Sequence, residues 1–189
     1  MAYYRCTGTG GSTPTPTMEP YIYNAGEVGF NTGHIHTANT KVKIKAIFDT
    51  WYGYGQVFGA RANNYENSAF GFFPWFDGLR PCMYRTGQEE KGTFFDQTPD
   101  TTQMFYGVPV ILTCEGKTAT WYPESEPTNV HSITATNGNV NTGIASLGLF
   151  CGNNTTTPNG WQYHDPARYM VLFWADIYES GELVHRFVP

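Results

Sequence analysis

Charge is scarce in this 189-residue chain: only 14% of its residues are Asp, Glu, Lys or Arg, and the formal net charge is −5. Lys41, Lys43 and Lys45 are the nearest thing to a basic cluster. They alternate with Val42, Ile44 and Ala46, which reads as the wet face of a strand. Phosphate neutralisation needs a denser positive footprint, so no nucleic-acid partner is expected. Apolar runs are short as well. None reaches transmembrane length, and no basic region precedes an apolar stretch and a small-residue cleavage site, so neither a membrane partner nor export by that route is expected. The four cysteines, Cys6, Cys82, Cys114 and Cys151, form no C-x-x-C pair. Cys114 and Cys151 sit in apolar strand patterns and read as buried free thiols, and Cys6 as a reduced thiol near the N-terminus. No segment has a 3.6-residue apolar period and no internal repeat stands out, which argues against helix bundles and solenoids.

Catalytic constellations are missing too. A glycosidase needs two carboxylates flanking the scissile bond, and no strand carries acids at alternate positions. Glu124 and Glu126, in the Pro-flanked loop Tyr122 to Pro127, are the only near miss and read as a solvated pair. His34-x-His36 has a spacing that zinc tolerates, but no third ligand lies nearby, and with His131 and His185 it reads as scattered surface histidine. No Ser-His-Asp, Cys-His or glycine-rich phosphate motif has a supporting context. The chain is expected to be non-enzymatic, with no catalytic residues, no metal site and no cofactor. Loop chemistry near His164-Asp165 would admit calcium, but no ligand pattern calls for it.

Aromatics, by contrast, are abundant at 16%, with 13 Tyr, 13 Phe and 5 Trp. The most telling stretch is the last. Tyr169 to Tyr178 is apolar on both alternating faces, with Tyr169, Val171, Phe173, Ala175 and Ile177 on one and Met170, Leu172, Trp174 and Tyr178 on the other. That is the pattern of a central strand covered on both sides. Glu179 to Glu182 supplies a turn with Gly181 free to take positive φ, and Leu183 to Val188 returns. Further strands are expected at Tyr21–Tyr23, Gly29–Thr32, Lys41–Phe48, Gln56–Arg61, Ala69–Phe73, Arg80–Tyr84, Gly92–Phe95 and Ile144–Cys151. Pro109–Cys114 and Thr118–Tyr122 form a hairpin about Glu115-Gly116-Lys117. The expected fold is all-β: a two-sheet antiparallel sandwich of jelly-roll character.

Residues 1–20 stand apart from the sandwich domain, residues 21–189. They hold Gly, Thr and Pro without a hydrophobic period, and Thr13 to Thr17 favours extended chain. Such a segment is a mobile leader or, because Tyr3, Tyr4 and Arg5 are residue types that dominate binding hot spots, an arm that docks on a partner protein. The aromatic loops offer a second kind of surface. Trp51, Tyr54, Trp75, Asp77, Asn153, Trp161 and Tyr163 combine planar rings with amide and carboxylate groups, the chemistry that binds a glycan. Rings at strand ends equally cap a core or bury in a subunit interface, and a homo-oligomer is expected on that ground.

The closing residues Ile177-Tyr178-Glu179, Gly181, Leu183-Val184 and Arg186-Phe187-Val188-Pro189 resemble the "IYENGxLVRDFVP" hairpin of concanavalin A-like (laminin-G-like) domains in bacteriophage, prophage and gut-bacterial surface proteins. Tyr21-Ile22, Asn31-Thr32-Gly33, Asn39-Thr40-Lys41-Val42 and Phe58-Gly59-Ala60-Arg61 are similar to that family's opening. Two departures are plain: Asn31 stands where the family has Asp, and an aromatic-rich segment follows Arg61. The resemblance implies a virion surface protein made in a bacterial host cytoplasm. Its role would be capsid decoration, head fibre or tail adhesin, held to other virion proteins by the arm. A lectin module for host glycans is the alternative, and a degenerate glycoside hydrolase the weakest reading.

Overall fold

The computed structural model describes residues 19–24, 29–48, 57–62, 70–74, 81–83, 105–116, 118–134, 142–143, 145–155, 163–164 and 170–189. Among them there is no helix and there are fourteen strands. In chain order these are β1 (Ile22–Asn24), β2 (Phe30–Ile35), β3 (Thr40–Phe48), β4 (Phe58–Ala62), β5 (Phe70–Pro74), β6 (Pro81–Met83) and β7 (Pro109–Glu115). There follow β8 (Thr118–Pro123), β9 (His131–Thr134), β10 (Ser146–Leu149), β11 (Gly152–Thr155), β12 (Tyr163–His164), β13 (Met170–Glu179) and β14 (Glu182–Phe187).

The strands make two seven-stranded sheets. The first runs β1-β13-β3-β7-β8-β9, with β14 also paired to β13; the second runs β12-β11-β4-β10-β2, extended by β5 on β4 and β6 on β5. One apolar core joins them. Val42, Ile44, Leu112, Trp121, Leu172 and Ile177 of the first sheet bury with Phe58, Phe70, Phe72, Leu147 and Leu149 of the second, and the rings of Phe72 and Trp121 meet across the layers at 5.9 Å. The two inner faces thus bury each other, which is what a sandwich requires.

The strands with period-two patterns stand where the sequence puts them. β3 and β7 pair from Lys41↔Glu115 to Ile47↔Pro109, and β7 and β8 form the expected hairpin. The terminal hairpin pairs β13 with β14 about Ser180 and Gly181, and Gly181 takes φ 87. Residues 92–95, also read as a strand, lie outside the described residues. β9, β11 and β12 were not expected: HSIT and GNNT are polar, without an apolar alternation to announce a strand.

Three expectations need correcting. The second sheet is mixed, because the reversal at Phe150 (φ 60) and Cys151 sends β11 parallel to β4. Strand β13 also does not keep one face throughout. Its register against β3 shifts between Leu172 and Trp174, so the core receives Met170 and Leu172 before the bulge and Ala175 and Ile177 after it. An extra residue in one strand flips which side chains point inward. Phe173, at the bulge, is buried on the outer side, against Tyr21 and Lys45. Finally, Lys45 is not on a wet face: it is 3% exposed.

Candidate functional site

Lys45 ends a ladder on the outer face of the first sheet. Lys41 and Lys43, each half-buried, lie 5.9 Å from the ring centroids of Tyr178 and Trp174 respectively. Lys45 lies 4.9 Å from that of Phe173. A lysine stem can cover rings while its ammonium stays near acceptors. For Lys45 those acceptors are two carboxylates, Glu19 near the end of the N-terminal segment 1–20 and Glu124 at 3.1 Å in the loop beyond β8. Tyr21 meets Phe173 edge-on at 6.5 Å. Residues 19–21 therefore cross from β1 over β13 to β3 on the outer face of this sheet. A buried ammonium stands only when paired.

The two carboxylates read as a near-miss dyad are engaged separately. Glu124 accepts from Lys45, and Glu126 accepts from Asn129 Nδ2 at 3.1 Å.

A second polar cluster closes one side of the sandwich. Glu179, at the end of β13, accepts hydrogen bonds from Thr37 Oγ1 and, at 2.6 Å, from Thr40 Oγ1. Its Oε2 is 3.5 Å from His34 Nε2. Ser180 N–H donates to the Asn39 carbonyl, and Thr40 Oγ1 accepts from Thr37 N–H at 2.8 Å. Partial burial pushes the Glu179 carboxyl up, but the hydroxyl hydrogen bonds from Thr37 and Thr40, with His34, outweigh it and the net shift is downward. Burial lowers His34, with Glu179 opposing and His185 adding to the fall. His36 is fully enclosed, and burial, then His34, brings it down to about 4 against the pull of Glu179. The histidines are thus not scattered on the surface. His34 meets His185 at 5.5 Å, and His131 packs against Phe105 and Trp121. Among the described residues no three His, Cys, Asp or Glu side chains are arranged to hold a metal ion.

Asn31 accepts from Gly33 N–H at 2.9 Å and from Ser146 Oγ at 2.6 Å. Asn153 donates Nδ2 to the Ser146 carbonyl at 3.0 Å. Asn153, one of the residues offered for glycan binding, is wholly buried and its amide ties β11 to β10, so it holds the scaffold and presents no face to a sugar. Tyr163 is described only as a strand residue, opposite Asn153. Trp51, Tyr54, Trp75, Asp77 and Trp161, the residues Tyr3, Tyr4 and Arg5 expected to dock on a partner, and Asp165 of the loop that would admit calcium all lie outside the described residues.

Neither cluster was legible beforehand. Glu19 borders a segment without pattern, and Lys45 alternates like Lys41 and Lys43, so nothing local distinguishes it. Glu179 was visible only as part of a turn and of the closing motif.

Among the described residues no helix is long and apolar enough to cross a membrane. Comparison with known proteins finds no family model that matches the chain and no curated protein sequence that matches it. What the fold defines is a class, the all-β proteins of two packed sheets.

Proposed function

We propose that the chain is the display module of a bacteriophage virion surface protein, a capsid decoration, head-fibre or tail-adhesin component. In this reading it is a concanavalin A-like jelly roll without catalytic activity of its own, carried by its N-terminal arm. The observation that carries the proposal is the clamp at the arm's root. Lys45 grips Glu19 on the outer face of the first sheet, and Tyr21 packs on Phe173 beside it. A spacer that left from a loose end could not orient the domain. One rooted in an ion pair to a buried lysine can, once Tyr3 to Arg5 dock on a partner.

The family part of the reading is supported by where its motif residues meet. Asn39 and Thr40 of the opening motif bond to Ser180 and Glu179 at the closing hairpin, across 139 residues in the case of Thr40 and Glu179. A motif that recurs because it fastens the first half of a fold to the last needs such contacts.

Deleting residues 2–17, which spares Glu19 and the clamp, tests the proposal. The truncated protein is expected to melt as the full chain does but to be absent from purified particles. Truncated protein found in particles at full occupancy would show that the arm is not the anchor.

A further inference from the structure

The side of the sandwich where edge strand β2 of the second sheet meets edge strand β14 of the first is lined with imidazoles. His34 on β2 and His185 on β14 have ring centroids 5.5 Å apart, and His185 stacks on Phe187 at 6.1 Å. Just past β2, His36 is completely buried and packs on Phe70 at 5.4 Å. Neither Nδ1 nor Nε2 of His36 has a hydrogen-bond partner among the described residues. Its backbone carbonyl accepts from Gly143 N–H at 2.7 Å. A Cβ at Gly143 would lie 2.5 Å from the imidazole Cε1, so the enclosure is tight.

We propose that this seam is an acid-operated latch: protonation of the enclosed His36, beside a His34 already crowded by His185, releases the 36–39 loop with the edge strands β2 and β14, while the shared core stays folded.

A neutral imidazole survives in an apolar enclosure at the cost of its unmade hydrogen bonds, but an imidazolium there has no acceptor and must leave. Outside, the His185 ring beside His34 disfavours charge on His34. The charged groups facing them are few. Glu179 from β13 touches His34, and Glu182 is its register partner on β14. Lys41, next along β3, turns to Glu115 at 3.0 Å, and Arg186 turns to Asp176 at 2.7 Å. Phe70 of β5 and Gly143 before β10 bring no charge. Of the carboxylates named, only Glu179 touches an imidazole, so it alone is in place to balance the new charge. The elements released are edge strands. β2 pairs with β10 and β14 with β13, each on one edge only, so both belong to the low-stability end of the structure. The depressed His36 value agrees with this geometry, since open forms with a normal imidazole gain on the closed form by on the order of a hundredfold between pH 6.5 and pH 4.

Hydrogen exchange on the full chain, corrected for intrinsic rates, tests the latch between pH 7.5 and pH 4.5. Protection in residues 31–40 and 182–187 is expected to fall by tens-fold or more relative to residues 42–48 and 110–114, and the response is expected to shrink in His36→Leu and in the pair His34→Gln with His185→Gln. A uniform loss across all segments, an unchanged response in both variants, or no response in the natural chain would each overturn the proposal. Should His36→Leu not fold, NMR titration of the natural chain's imidazoles decides. His36 must take up its proton over the same pH interval in which the seam loses protection, and a seam that opens while His36 stays neutral refutes the latch.

Discussion

Thr40 Oγ1 donates a 2.6 Å hydrogen bond to Glu179 Oε2, joining the first residue of β3 to the last of β13. The same carboxylate holds Thr37, so one side chain fastens the loop before β3 to the closing hairpin. Hydrogen bonds to a charged acceptor contribute more than neutral ones. Glu179→Ala is expected to cost about 2–3 kcal/mol and Thr40→Val about 1 kcal/mol. The double variant should cost less than their sum, because both remove the same bond. Thermal or urea denaturation of the three proteins checks this, and strict additivity would mean the bond contributes nothing.

The Lys45 clamp should behave as a paired charge. Lys45→Met leaves Glu19 and Glu124 facing each other across apolar surface and is expected to lower stability by about 1–3 kcal/mol, less than for a fully buried pair because both carboxylates are partly solvated. Adding Glu19→Gln and Glu124→Gln to Lys45→Met should recover much of that loss. A triple variant no more stable than the single one would show that packing over Phe173, not charge, is what Lys45 supplies.

The bulge in β13 assigns the faces. Leu172→Ala and Ile177→Ala, both core residues, should each cost about 2–5 kcal/mol. Trp174→Ala, on the half-buried outer face, should cost less than either despite the larger side chain removed. Equal losses at Trp174 and Ile177 would contradict the register shift.

Stability should fall in acid. His36 has a folded value of about 4 against 6.5 when unfolded, so below 6.5 the unfolded chain binds a proton that the native one does not. Its contribution is complete above pH 6.5 and is lost as pH falls toward 4, about 3 kcal/mol in all. Glu179, also lowered on folding, adds stability that is present above its ordinary value and lost as pH drops through the native one. Urea unfolding between pH 7 and pH 4 should show the decline, flattened in His36→Leu. A flat profile in the natural chain would refute the enclosure of His36.

Cys114 and Cys151 should resist alkylation. Both are buried and free, and burial raises both thiols, Cys151 to about 12. The thiolate is the nucleophile, so at pH 8 Cys151 should react with iodoacetamide about 1,000-fold more slowly than an exposed thiol, and Cys114 should also be strongly slowed, until the protein unfolds. Peptide mapping reads the two sites separately, and rapid native labelling of either would place it outside the core.

Much of the architecture is written locally. β3, the β7–β8 hairpin and the β13–β14 hairpin declare themselves because an alternating apolar pattern can bury only as a strand, and because Gly116 and Gly181 sit where turns need positive φ. The two cysteine burials follow from the same patterns. β9 and β11 do not declare themselves, since polar strands are held by their neighbours' backbones and carry little signal of their own.

The candidate sites belong to tertiary structure alone. Lys41, Lys43 and Lys45 are equivalent in pattern, and only the approach of Glu19 and Glu124 from remote parts of the chain buries the third. His36 looks like His34 on paper, but Phe70 and Gly143 close over it while His34 stays beside Glu179. Asn153 reads as a sugar ligand until Ser146 takes its amide. Short-range pattern determines which backbone a segment can adopt. The charge, burial and partners of a side chain depend on what folds against it, and here those contacts come from tens to more than a hundred residues away.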